Sequence, residues 1–96
     1  METKALREFR EGLAEIERQF SALIHSKSPG SSLPEFAWSS MPTPQNIPDA
    51  VEVVVRWQGG EVRLRFTRQQ VEDSWNGVAD AYAKAVVQEG VRRLIG

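Results

Sequence analysis

The 96-residue chain has no cysteine, and that absence excludes disulfides, thiolate metal ligands and a cysteine nucleophile. It has a single histidine, His25, and no His/Glu spacing of the kind that holds zinc. Net charge is scarce as well. Twelve basic and thirteen acidic side chains leave −1 at pH 7, so no global field draws the chain to nucleic acid or to a membrane. No apolar run reaches the length of a bilayer span, and the N-terminal METKALREFREG is charged and amphipathic, unlike a secretory signal. The expectation is a cytoplasmic protein with no membrane contact, no cofactor and no metal. The length fits one small domain over residues 1–96 with a modest core.

What is present centres on residues 51–66, VEVVVRWQGGEVRLRF, two alternating runs interrupted by glycines. A two-residue turn at Gly59-Gly60 would tolerate the positive φ angles of a tight hairpin, giving strands 51–58 and 61–67. In that register Trp57 faces Val62, Val55 faces Leu64 and Val53 faces Phe66, which makes one face apolar. The other face sets Arg56 against Arg63 and Val54 against Arg65. A one-residue slip would mix apolar and charged side chains and is strongly disfavoured.

Ahead of the hairpin, Leu6, Phe9, Leu13, Ile16, Phe20 and Leu23 recur at alternating spacings of three and four, the stripe of a long amphipathic helix. Thr3 can cap its start, and Gly12 weakens its middle. Two readings fit the stripe: packing on the hairpin, or a helix pair between two copies of the chain. Residues 26–50 hold all five prolines and most of the serines, which bars a helix or a central strand. Their apolar content (Leu33, Phe36, Trp38, Met41 and Ile47) exceeds that of a free linker. This connecting segment, mobile or laid over the core, can supply a short extra strand at 36–40, with turns at Ser28-Pro29-Gly30 and Pro42-Thr43-Pro44. A peptide-like docking motif over 33–41 is the functional alternative.

After the hairpin, Thr67 and Gln70 have capping-box spacing, and Phe66 can staple onto Val71, so strand should turn directly into a helix over 68–89. Its expected buried stripe is Val71, Trp75, Val78, Tyr82, Ala85 and Val86, with Gly90 weakening or ending it. Asp80 and Lys84 can pair along it. Glu72 and Asp73 near its start and Arg92 and Arg93 near its end match the helix dipole. The predicted fold is α+β: helix, extended segment, hairpin, helix, with both helices on the apolar hairpin face.

The run VRWQGGEVRLRFTRQQVEDSW, a hairpin and a Thr cap followed by Gln70-Val71-Glu72-Asp73, resembles the core of small proteobacterial domains of unknown function over residues 51–95. The resemblance implies a bacterial cytoplasmic protein and carries over no catalytic residue. The residues themselves offer none. The serines lie in the proline-rich segment without a nucleophile elbow, and Gly59-Gly60 leads into a strand and not a phosphate-binding helix start. The expected function is therefore non-enzymatic protein binding, to another protein or as a homodimer. The surface named for it is Arg56, Arg63, Arg65, Val54, Phe36 and Trp38. Arginines gathered on one hairpin face also admit nucleic-acid binding, which is disfavoured because the final helix opens on Gln69, Gln70, Glu72 and Asp73 and not on lysines. An enzyme with no recognisable motif is the residual alternative.

Overall fold

The computed structural model describes residues 3–43, 45–74 and 81–95. In chain order these form helix α1 (Lys4–Lys27), strands β1 (Glu35–Trp38), β2 (Ala50–Trp57) and β3 (Gly60–Thr67), and helices α2 (Arg68–Asp73) and α3 (Ala81–Ile95). The three strands make one antiparallel sheet in the order β1-β2-β3. Together these elements give the expected α+β class.

The stripe on α1 does what its spacing requires. Leu6, Phe9, Leu13, Ile16, Phe20 and Ile24 are buried, and Thr3 caps the helix by accepting a 3.1 Å bond from the Leu6 N–H. Toward the end of α1 the buried position passes from Leu23 to Ile24, because a straight helix of 3.6 residues per turn drifts away from a heptad repeat. Phe9, Leu13, Ile16, Phe20 and Ile24 meet Val51, Val53, Val55, Trp57, Val62, Leu64 and Phe66 from the inner face of the sheet in one core. Full burial of each large apolar side chain contributes about 1.5–3 kcal/mol, so this shared layer dominates the fold's stability.

The hairpin forms, but its turn is Gln58-Gly59 and not Gly59-Gly60. Gln58 and Gly59 have φ of 48° and 80°, the double left-handed conformation of a primed turn. The strands thus shift by two residues: Trp57 faces Gly60, Val55 faces Val62, Val53 faces Leu64 and Val51 faces Phe66. A shift of two preserves which side chains face inward, so the apolar face survives intact. It changes the outer face, where Arg56 now lies opposite Glu61, Val54 opposite Arg63 and Glu52 opposite Arg65. The expected Arg56–Arg63 repulsion does not occur. Gly60 instead sits in the strand, where an added Cβ would press to 3.3 Å from Leu94.

Phe36 and Trp38 form the extra strand, β1, as an edge over 35–38. Both turn their rings inward. Phe36 meets Phe20 edge-on at 5.7 Å between centroids, and Trp38 lies 6.2 Å from Phe66 and donates a 2.9 Å bond from Nε1 to Glu17. Leu33 and Met41 remain exposed, whereas Ile47 packs on the core, so the proline-rich segment covers it only in part. Gly30 takes φ of 83° within a Ser28–Ser31 turn, and Thr43 and Asn46 exchange backbone bonds.

The C-terminal helix departs most from expectation. The capping box is complete: Gln70 N–H donates to Thr67 Oγ1 at 3.2 Å, and Thr67 N–H donates to Gln70 Oε1 at 2.9 Å. The helix it starts is short. α2 ends at the C-cap Ser74, whose buried hydroxyl donates to the Gln70 carbonyl, a bond that competes with helix continuation. Glu72 and Asp73 accordingly fall outside its first turn, and Glu72 pairs with Arg68 at 2.7 Å. In α3 the buried line is Ala83, Val87, Gly90 and Val91, while Tyr82 and Ala85 are exposed and Val86 is half-buried. A stripe counted continuously from Val71 is out of phase because two separate helices stand where one was expected. Trp75, Val78 and Asp80 lie outside the described residues.

Two glycines read as weak points are points of close packing. Gly12 is buried where α1 meets α2, and a Cβ there would fall 2.7 Å from the Val71 carbonyl carbon. Gly90 does not end α3, which runs on to Ile95. A Cβ at Gly90 would reach 2.8 Å from Leu64 and 3.1 Å from Phe20, so its absence lets α3 lie close on β3 and α1. Arg92 and Arg93 do occupy the last turn of α3, as the dipole favours.

Candidate functional site

Both helix layers sit on one face of the sheet, and among the described residues none covers the outer face. Its side chains alternate outward from all three strands: Glu35 and Ala37 from β1, Glu52, Val54 and Arg56 from β2, and Glu61, Arg63, Arg65 and Thr67 from β3. They fall into cross-strand rows. Glu35, Arg56 and Glu61 form one, Ala37, Val54 and Arg63 the next, and Glu52 and Arg65 the third.

Carboxylates and guanidiniums are interleaved across these rows. Arg56 Nε donates to Glu61 Oε1 at 3.0 Å in an exposed pair. Arg63 and Arg65, on β3, have no carboxylate within ion-pair reach among the described residues, although Glu52 on β2 stands opposite Arg65 and Glu61 shares their strand. Half-buried Val54 is the apolar centre between them. The expected surface therefore divides in two. Arg56, Arg63, Arg65 and Val54 share the open face, while Phe36 and Trp38 lie on the opposite, helix-covered face.

β3 is also an edge strand, and its free backbone groups can be identified. Ser39 N–H donates to the Glu52 carbonyl, so even-numbered β2 residues bond toward β1. Arg68 N–H donates to the Asp49 carbonyl, which continues the odd-numbered bonds toward β3. Gly60, Val62, Leu64 and Phe66 thus bond to β2, and the N–H and C=O groups of Glu61, Arg63 and Arg65 point away from the sheet. Thr67 N–H points the same way, but the capping box uses it.

Beside this edge, α3 forms the wall of a groove of about 400 Å³, lined by Arg63, Leu64, Arg65, Val86, Glu89 and Arg93. Arg92 grips Glu89 with bonds of 2.7 and 2.8 Å. The hydrogen bond from Arg92 holds the Glu89 carboxyl below its ordinary range, so that acid is charged and already partnered. Arg63, Arg65 and Arg93 are the groove's guanidiniums without an ion pair among the described residues. Sequence reasoning missed Arg93 here, since the groove exists only because Gly90 brings α3 against Leu64.

Other concave regions include two of larger volume. One of about 570 Å³ surrounds the hairpin turn and exposed Leu33, beside the 2.9 Å bond from Trp57 Nε1 to the Ser32 carbonyl. The other, about 440 Å³ and mainly apolar, runs between α1 and α3 at Leu23, Val91 and Ile95. His25 is exposed at the end of α1. Among the described residues no group of three or more His, Cys, Asp or Glu gathers as a metal site would require, and no helix is long and apolar enough to cross a membrane.

No protein-family model, no curated protein and no solved structure matches this chain.

Proposed function

We propose that the chain is a non-enzymatic protein-binding module of the bacterial cytoplasm, which receives an acidic partner on the β3 side of its open sheet face. The observation that carries this is the pair Arg63 and Arg65, exposed on a face that, among the described residues, has no covering layer and offers them no ion-paired carboxylate. Both guanidiniums offer forked donors matched to carboxylates, and half-buried Val54 beside them supplies an apolar contact. A binding role suits the side-chain directions, because the polar groups of this face project outward from a sheet and do not converge on an enclosed point. Nucleic acid fits less well. Glu35, Glu52 and Glu61 are interleaved on the same face and would meet any continuous line of phosphates with repulsion.

The test is titration of the protein with a glutamate-rich peptide at low salt, followed by NMR. Shifts should cluster at Val54, Arg63 and Arg65 and fade with added salt or in an R63E/R65E variant. Shifts confined to other surfaces, or tighter binding of duplex DNA than of peptide, would reject the proposal. A second copy of the chain is the alternative occupant, since the face carries carboxylates and guanidiniums alike. Sedimentation across a concentration series tells the two apart.

A further inference from the structure

Resting on that reading, we propose that the partner binds as an extended strand added to the free edge of β3, with acidic residues alternating with apolar ones. Three features of the same edge lead there. β3 is eight residues long, without proline or lysine, and presents the backbone groups of Glu61, Arg63 and Arg65 outward in an unbroken ladder. An added strand would satisfy those groups directly, the general basis of strand-addition recognition. Its side chains would then alternate between the two faces of the sheet. On the outer face they meet Arg63 and Arg65, which call for carboxylates. On the inner face they enter the groove over Val86 and the flank of Leu64, which calls for apolar groups, with Arg93 at its rim.

Charge does not single out a second copy at this edge either. Outward-facing residues must pair with outward-facing residues, so a twofold β3–β3 contact has few registers. Of the two that keep nearly the whole strand paired, one sets Arg63 against Arg63 of the other copy with Glu61 against Arg65 on either side, and the other sets Arg63 against Arg65 twice. Like charges directly opposite destabilise the second register throughout and the first at its centre, whereas an acidic strand meets both arginines with its complement.

The experiment uses the whole chain and a capped synthetic peptide of alternating valine and glutamate, as long as β3. A second peptide has the same sequence but is N-methylated at the residues whose amides would face β3. Hydrogen exchange read by NMR should show the amides of Glu61, Arg63 and Arg65 slowed at least about tenfold by the first peptide, with Val62 and Leu64 already protected in the free protein. The N-methylated peptide should lose binding, and both R63E/R65E and the milder R63A/R65A should weaken the first peptide at least about tenfold with the far-UV spectrum unchanged. Equal binding of the two peptides would overturn edge addition while leaving an acid-binding face standing. Binding of neither would overturn both. Protection of those three amides in the free protein together with a sedimenting dimer would assign the edge to a second copy and also overturn the proposal.

Discussion

Replacing Gly12 with alanine sets two effects of opposite sign against each other. In a solvent-exposed helix the change would stabilise by about 1 kcal/mol, because glycine loses more backbone entropy than alanine on folding. In this fold the new Cβ would sit 2.7 Å from the Val71 carbonyl carbon and 2.9 Å from its Cγ1, with the carbonyl oxygen closer still. Ordinary spacing would need α2 to retreat by roughly 1 Å. Little allows that retreat: the capping box and the 2.7 Å bond from Arg68 N–H to the Asp49 carbonyl fix the start of α2, and Val71 is fully buried. Overpacking costs about 1–3 kcal/mol, and collision with backbone belongs at the upper end, so the net loss should be about 1–2 kcal/mol. For a chain of this size that is a substantial part of a stability on the order of 5–10 kcal/mol. Urea denaturation followed by circular dichroism measures it. Gly90→Ala is the matched control, since its Cβ would meet only the tips of the Leu64 side chain and the edge of Phe20, which can turn aside, and its loss should be smaller. A Gly12→Ala protein with a raised midpoint would refute the α1–α2 contact.

Three further outcomes follow from the geometry. Gln58→Asn should stabilise by about 0.4–1 kcal/mol, since asparagine tolerates the left-handed conformation of position 58 better; a loss would place position 58 in the strand and return the turn to Gly59-Gly60. Thr67→Ala removes the acceptor of the capping box and should cost about 1 kcal/mol in thermal or urea melts, whereas no change would mean that α2 needs no cap. Trp38→Phe keeps an aromatic ring near Phe66 but deprives Glu17 of its donor, for a loss of about 1 kcal/mol that a Glu17→Ala background, which has no acceptor, should largely abolish; additive losses in that cycle would deny the Trp38–Glu17 bond.

The elements most legible from sequence were those with a strong period or a specific cap. The α1 stripe, the alternating strands and the Thr67/Gln70 box each constrain local geometry on their own, and all three stand in the structure. β1 could be read because Phe36 and Trp38 alternate in a segment barred from helix. The turn position was harder: Gly59-Gly60 satisfies backbone rules at least as well as Gln58-Gly59, and both registers bury the same side chains. What separates them is tertiary, namely room for Leu94 over Gly60 and the Arg56–Glu61 pairing. The phase of α3 was lost for a related reason, since a stripe extrapolated from Val71 cannot register the Ser74 cap. The same blindness turned Gly12 and Gly90 into weaknesses, although what each glycine admits comes from a distant part of the chain. For the candidate surface, four of six residues fell together because strand alternation alone groups them, while the β3 groove depended on the docking of α3.

Strand order that follows chain order has a kinetic consequence. Each pairing, β1 with β2 and β2 with β3, closes only the connection between sequence neighbours, and such short closures are reached early in a folding search. The costly closure is the one that brings α1 against α3, where Gly90 admits Phe20 from the other end of the chain. The sheet can assemble as a meander before either helix covers it, exposing its valine-rich inner face until the two ends of the chain meet. Gly90 therefore sits at the step that conceals this face, and substitutions there should slow the disappearance of aggregation-prone species more than they lower the final stability.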